Sequence, residues 1–279
     1  MGAAAQTIRL KRHAWTVFFD RPVNPQMEFR TVFEGEGPPG RVAVKRIELK
    51  SADIPFREIE LAPRFLGKPF RHLVNVLDYG HDPASEMDFV ILEHCPDTLW
   101  HNLDSRKRVP EAEAIGILTQ ILGGLMEMDG LVHNDLRPEN VLGVGGNWKI
   151  TDFGRARFRE EISPRATLNK DVAFFFAPPE LWMREGPAET TDIYGLGGIL
   201  YRLVAGRPPF TGERDEVRAQ HFYAMPEPIP GASAALNDLI ARMMAKDPAK
   251  RPKKENLLGE LGADIAALVG AHVLSAVRE

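Results

Sequence analysis

The sequence predicts an α+β protein, with a strand-rich front of about 93 residues followed by a mainly helical remainder. Three observations carry that reading. Residues 7–50 hold short β-branched and aromatic runs broken by turn-rich stretches. From Pro110 onward, apolar residues recur at helical spacing. The change of character falls near His94, Cys95 and Pro96. A chain of 279 residues suits two domains or one large two-part unit, with the expected division between 1–93 and 94–279.

Val17 to Phe19, Phe29 to Phe33 and Arg41 to Leu49 read as strands, separated by the breaker-rich stretches RPVNP and GEGPPG. In the third strand Val42, Val44 and Ile47 are apolar, with Lys45 and Arg46 set among them. A short helix fits Ala52 to Leu61 and is expected to stop at Pro63, which has no amide hydrogen to continue the ladder. Leu73–Tyr79 and Asp88–Glu93 suit buried strands. Beyond Pro110, Ile115, Leu118, Leu122 and Leu125 predict a helix, with Gly130 as its expected C-terminal cap. Further helices fit Asp192–Ala205, Ala234–Ala245 and Lys254–Val277. A ligand cleft is expected where the two parts join.

Thirty-five basic residues against 39 acidic ones leave a net charge of −4, which gives no general attraction to nucleic acid or anionic lipid. The one cysteine, Cys95, allows no internal disulfide and fits a reducing, cytoplasmic compartment. No apolar run reaches the roughly 18 residues of a membrane span. Residues 195–206 carry Arg202, and residues 260–277 are interrupted by Glu260, Asp264 and His272. The opening MGAAAQ lacks a secretory pattern, and Gln6 stands where an acylation signal has Ser or Thr.

The chemistry concentrates in HNDLRPENVL at 133–142 and ITDFGRA at 150–156. Asp135, then Asn140 five residues on, then Asp152 twelve beyond, form an oxygen-rich set suited to Mg²⁺ and a polyphosphate. One or two carboxylates suffice for such a cation, because substrate phosphates and waters complete its shell. Whichever aspartate does not hold metal is available to orient an attacking hydroxyl. Taken singly, either aspartate also suits an ordinary turn.

Together the two segments resemble the catalytic and metal-binding loops of the eukaryotic-type (Hanks-type) serine/threonine protein kinase family, whose phosphoryl-transfer scheme is well established. The resemblance implies a bilobal fold with a small antiparallel β-sheet lobe bearing one helix and a larger helical lobe. It also implies transfer of the γ-phosphoryl group of ATP, with Mg²⁺ or Mn²⁺, to a Ser or Thr hydroxyl of a protein substrate. Lys45, ending VAVK, matches the family's phosphate-anchoring lysine, and Glu58, with Glu60 as the fallback, its partner on the following helix. Asp135 would be the catalytic base, with Asn140 and Asp152 as metal ligands and Arg137 meeting developing charge. FVILEHC would be the hinge, with Leu92 as gatekeeper and the backbone of Glu93 and Cys95 facing the adenine edge. Ala43 and Leu142 would sandwich the adenine ring. Pro179-Glu180, Asp192 with Gly197, and Arg251 as the partner of Glu180 extend the likeness toward the C-terminus.

The pattern is broken in places. The family's glycine-rich loop has no counterpart, since no glycine lies between Gly2 and Gly35 and FFDRPVNPQMEF occupies its place. GEGPPG sits too near Lys45 to substitute and reads as a hairpin turn. Asn134 replaces the arginine that usually answers an activation-segment phosphate, so Ser163 and Thr167 are not expected to be obligatory activating sites. Ala173 replaces a threonine that normally steadies the base. Ala62, one turn after Glu58, leaves a gap where a larger apolar residue normally joins Phe153 and His133, which implies a loosely held helix and a regulatory protein partner. These departures keep a pseudokinase scaffold open as the alternative function. A small-molecule phosphotransferase is disfavoured by the presence of Glu180 and Arg251.

Overall fold

A computed structural model describes residues 5–23, 31–47, 57–161, 174–183 and 186–261. The chain divides into two units: Met1–Pro96 with Thr151–Gly154, and Asp97–Ile150 with Arg155–Glu279.

The first unit is built on β1 (Gln6–Arg9), β2 (Ala14–Pro22), β3 (Val32–Gly37), β4 (Gly40–Ile47), β5 (Val76–Asp82) and β6 (Met87–Glu93), with helix α1 (Arg57–Phe65) between β4 and β5. The strands form one antiparallel sheet in the order β1-β2-β3-β4-β6-β5. Successive side chains alternate faces. Val42 and Val44 of β4 and Phe89 and Ile91 of β6 therefore join Ile8, Trp15, Val17 and Phe33 in the core. Fully burying a side chain of this size contributes about 1.5–3 kcal/mol. The other face of β4 and β6 carries Ala43 opposite Leu92 and Lys45 opposite Val90.

GEGPPG divides between strand and turn. Gly35 and Gly37 lie in β3, and only Pro38 and Pro39 turn the chain, closed by Gly40 at φ +96°. A Cβ on Gly35 would come within 2.6 Å of a Val44 methyl and 2.8 Å of the Thr16 carbonyl oxygen, and one on Gly37 would run into the Trp15 ring. Packing of the sheet accounts for both glycines.

The apolar runs do not single out β1; of two buried carboxylates on β5, Asp82 ties the end of β1 and Asp78 the turn and strand that follow it. Asp78 Oδ2 accepts from the backbone N–H of Arg12 (3.1 Å) and His13 (3.2 Å) and from Trp15 Nε1 (2.9 Å), while its Oδ1 accepts from Tyr79 N–H (2.9 Å). Asp82 accepts from Arg9 N–H at 2.9 Å and from the backbone and hydroxyl of Ser85.

Helix α1 does not stop before Pro63, as expected, but runs through it to Phe65. Pro63 deprives the Ile59 carbonyl of its ladder partner. Burial of Leu61, Ala62 and Phe65, each 2% exposed, holds the last turn, and Leu66 N–H closes on the Ala62 carbonyl. Its expected start at Ala52 lies outside the described residues.

The second unit contains β7 (Asp97–Thr98), α2 (Leu99–Arg106), α3 (Glu111–Glu127), β8 (Leu131–Val132), β9 (Val141–Val144), β10 (Asn147–Ile150), β11 (Arg157–Phe158), α4 (Pro179–Met183), α5 (Thr191–Ala205), α6 (Arg214–Tyr223) and α7 (Ala234–Met243). Small sheets β10-β9-β7 and β11-β8 frame the loops between them. Helix α3 buries Ile115, Leu118, Leu122 and Leu125 as its periodicity requires. Its cap is Met128 rather than Gly130, which lies two residues further on at φ +73° and turns the chain into β8. α5 is buried along almost its whole length and ends on Gly206 in the left-handed conformation. Residues 254–261 are helical, and the rest of the expected C-terminal helix lies outside the described residues.

Candidate active site

In the first unit the sheet, α1 and residues 151–154 bring three of the expected side chains together. Lys45 Nζ donates to Glu58 Oε1 at 2.7 Å and to Asp152 Oδ1 at 2.9 Å. The Lys45 and Glu58 side chains are 15% and 14% exposed, and Asp152 is more open at 41%. Two carboxylates share one ammonium. Burial works against the charged lysine, but Asp152 and Glu58 outweigh it and raise the lysine's pKa, so Lys45 stays protonated. Burial lifts the Glu58 carboxyl above the usual carboxylate range, and Lys45 opposes that rise.

Local geometry explains the Asp-Phe-Gly sequence. Asp152 sits at φ +66°. Gly154 directs its N–H toward Asp152 Oδ1 at 3.4 Å, and a Cβ there would lie 3.3 Å from that oxygen and 3.7 Å from Glu58 Cγ. Phe153 is buried and stacks on Phe65 with centroids 4.7 Å apart and planes inclined by 22°. Phe65, two turns beyond Glu58, thus supplies an apolar contact to Phe153.

Of the expected adenine-facing residues, Ala43 lies on β4, Leu92 and Glu93 on β6, and Cys95 just after it. Ala43 and Leu92 are cross-strand partners on the Lys45 face. Glu93 N–H donates to the Asn75 carbonyl at 3.0 Å, and Glu93 Oε1 accepts from Asn75 N–H at 2.8 Å. The buried Cys95 Sγ approaches the Glu93 carbonyl oxygen at 4.0 Å.

In the second unit, residues 133–140 form a loop between β8 and β9. Asn140 Nδ2 donates to the Asp135 carbonyl (2.8 Å) and to Asp135 Oδ2 (3.1 Å), and Asp135 N–H donates to His133 Nδ1 at 3.3 Å. The loop is braced from below by Asp192 near the start of α5. Its Oδ2 accepts from His133 N–H at 2.7 Å and its Oδ1 from Asn134 N–H at 2.9 Å. Asn134 adopts φ +66°, a conformation asparagine tolerates, and its Nδ2 donates to the Arg155 carbonyl at 3.1 Å. Arg137 Nε bonds Glu139 at 3.2 Å. Leu142, on β9, is paired with Lys149 and Thr98 and half-buried. His133 is fully buried, as a core histidine should be.

The distal likeness also takes structural form. Glu180, at the start of α4, receives both arms of Arg251 and the Thr191 hydroxyl. Phe176 is buried, and Phe174 and Phe175 pack edge to face at 4.5 Å. Ala173, Ser163 and Thr167 lie outside the described residues. Arg155, which follows Gly154 in ITDFGRA and has no role assigned from the sequence, stands with Nη1 at 4.0 Å from Asp135 Oδ1. Its adjacency to the Asp-Phe-Gly segment is the signal that could have found it.

The first unit thus holds Glu58 and Asp152 on one ammonium, and the second holds Asp135 on a loop hydrogen-bonded by Asn140. Residues 36–260 match the family described as Protein kinase domain, and the chain belongs to that family. It is 32% identical over 260 residues to serine/threonine-protein kinase PkaB of Streptomyces coelicolor, covering 86% of this chain and 61% of the relative. It is 35% identical over 259 residues to PkaA of the same organism, covering 86% and 46%. With serine/threonine-protein kinase PknL of Mycobacterium tuberculosis it shares 31% over 221 residues, covering 75% and 53%. The chain spans less than two thirds of the length of each of these relatives. Among the described residues no helix is long and apolar enough to cross a membrane.

Proposed function

We propose that the chain is an ATP-dependent protein kinase that transfers the γ-phosphoryl group to a Ser or Thr hydroxyl of a protein substrate. The observation that carries this reading is Lys45 held between Glu58 and Asp152 at 2.7 and 2.9 Å. Glu58 fixes the lysine's direction, and the ammonium neutralises the α- and β-phosphates. Residues 1–93 act as the nucleotide lobe, where Ala43, Leu92 and Glu93 receive the adenine together with Cys95 and Leu142. Residues 94–279 act as the acceptor lobe. Asp135 accepts the hydroxyl proton as the phosphoryl group leaves, and Arg137 meets the charge that develops.

The donor set suits a hard cation. Asn140, with its nitrogen on Asp135, has its amide oxygen left for a ligand, and the Asp152 carboxylate is 41% exposed. No cluster of three or more His, Cys, Asp or Glu suited to a metal occurs among the described residues, so phosphates and waters would complete the shell. Bound Mg²⁺, or Mn²⁺ in its place, would neutralise and orient the phosphates. The cytoplasm is the compartment this reading expects, in keeping with the single cysteine.

The test is transfer of label from γ-labelled ATP by the purified chain with Mg²⁺ or Mn²⁺, beside Asp135→Asn. Transfer by the parent and its loss in the variant support the reading, and equal transfer by both overturns it. One observation favours a scaffold instead: Gly35 and Gly37 are accounted for by sheet packing, not by a phosphate. A binding nucleotide stabilises the fold by RT ln(1 + [L]/Kd), about 2.7 kcal/mol at a hundredfold excess. No melting shift at millimolar Mg-ATP would favour the scaffold.

A further inference from the structure

We infer that Arg155 is a specificity-determining residue that recognises an anionic side chain beside the acceptor hydroxyl of the substrate. The inference rests on the kinase reading above. Its ground is an arginine that is positioned but unused. The Arg155 carbonyl is fixed by Asn134 Nδ2 at 3.1 Å, and two residues later Arg157 enters β11 opposite Val132. Its side chain is only 31% exposed, so the guanidinium is held beside the loop. Yet that guanidinium makes no hydrogen bond among the described residues, and its one ion pair, to Asp135 Oδ1, is 4.0 Å long. Neighbouring arginines differ. Arg137 is bonded to Glu139, Arg159 to Glu189 and Arg251 to Glu180.

A guanidinium presents five N–H donors in a planar fork whose natural partner is a carboxylate or phosphate bound through both arms. At 4.0 Å from Asp135 Oδ1, Arg155 lends charge to the loop without a close hydrogen bond to that carboxylate. Consecutive Cα atoms are about 3.8 Å apart, so a side chain one or two positions from the acceptor reaches the same neighbourhood. Arg137 adds a second positive charge to the loop, offset by Glu139. An acidic flank, whether glutamate or a phosphate already transferred, would fill the empty fork. A basic flank would be repelled.

The experiment compares serine peptides that differ only beside the acceptor, carrying Glu, phosphoserine, Ala or Lys. It uses kcat/KM for transfer and fluorescence anisotropy of matching peptides with Ala at the acceptor. The wild type should favour Glu over Ala by roughly tenfold, the scale of one charge-assisted hydrogen bond. Phosphoserine above Glu would mark a primed substrate, and equality an acidic one. Arg155→Ala should bring the ratio to about one, Arg155→Lys should keep part of it, and Arg155→Glu should turn preference toward Lys. A wild type without acidic preference, or an unchanged ratio in Arg155→Ala, overturns the inference. If the wild type transfers phosphate to no peptide or protein, the kinase reading falls, and the anisotropy ratios still decide the role of Arg155.

Discussion

Arg251 and Glu180, 71 positions apart, meet as a two-armed ion pair shut away from water, with side chains 0% and 5% exposed and contacts of 2.6 and 2.9 Å. The remaining guanidinium donors are spent on the carbonyls of Ala245, Thr190 and Lys246. Breaking one side of such a pair leaves an uncompensated buried charge. Arg251→Ala should lower unfolding free energy by about 3–5 kcal/mol, read from urea titration. A loss below about 1 kcal/mol, the range of exposed pairs, would show that the site tolerates an unpaired carboxylate.

Lys45 should be dispensable for folding but not for nucleotide response. Lys45→Met removes the ammonium and leaves Glu58 and Asp152 facing each other. The variant should stay folded by circular dichroism, lose the Mg-ATP melting shift, and transfer phosphate at least about a hundredfold more slowly, as expected for loss of a major charge stabiliser. Retention of the shift would detach Lys45 from the phosphates.

Asp78 tests the first unit alone. Its four N–H donors include two buried ones, the Trp15 indole and the Tyr79 amide, which Asp78→Ala would leave without their acceptor. Each unsatisfied group costs about 1–3 kcal/mol, so a loss of several kcal/mol is expected, with Trp15 emission shifting to the red. Asp78→Asn, which retains an acceptor oxygen, should cost less. Equal losses would mean that the charge, not the geometry, holds the hairpin.

His221 makes stability pH-dependent. It is fully buried on α6, with Nδ1 2.9 Å from the Tyr194 hydroxyl and the Phe210 ring edge to face at 4.9 Å. Burial first, and the Lys246 ammonium second, push its pKa down to about 3 from an ordinary 6.5. Above the unfolded value both states are neutral and nothing is lost. Below it the unfolded chain takes a proton that the folded chain refuses. Stability should therefore fall as pH drops from about 6.5 toward 3, by up to about 1.4 kcal/mol per unit from this group. Urea titrations of wild type and His221→Gln across that range should show a shallower decline in the variant; parallel curves would assign the acid sensitivity elsewhere.

The legible parts of the sequence were those whose chemistry is local. Asp135, Asn140 and Asp152 lie in short segments whose residue types and spacing suit phosphate chemistry, Lys45 stands out through the family resemblance, and the apolar stripe of α3 announces its buried face. What remained hidden depends on distant partners. Nothing near Asp78 shows that its acceptors serve residues 12–15. Gly35 and Gly37 looked like turn residues because the Trp15 ring and Thr16 carbonyl that exclude a side chain come from another strand. Pro63 was read as a stop, and the burial that carries α1 past it is tertiary. Arg155 carries no sequence signal of its own because its neighbour Asp135 lies 20 positions earlier.

The ties that Asp78 and Asp82 make to residues 9–15 bear on how the chain behaves in crowded surroundings. β1 and β5 are the outermost strands of the front sheet, where exposed N–H and C=O groups invite pairing with other molecules. Here the Arg9 amide is already spent on Asp82, and the hairpin following it is fastened to Asp78. The two borders of the sheet thereby occupy one another, which guards against strand-to-strand aggregation without resort to a proline or a fringe of lysines.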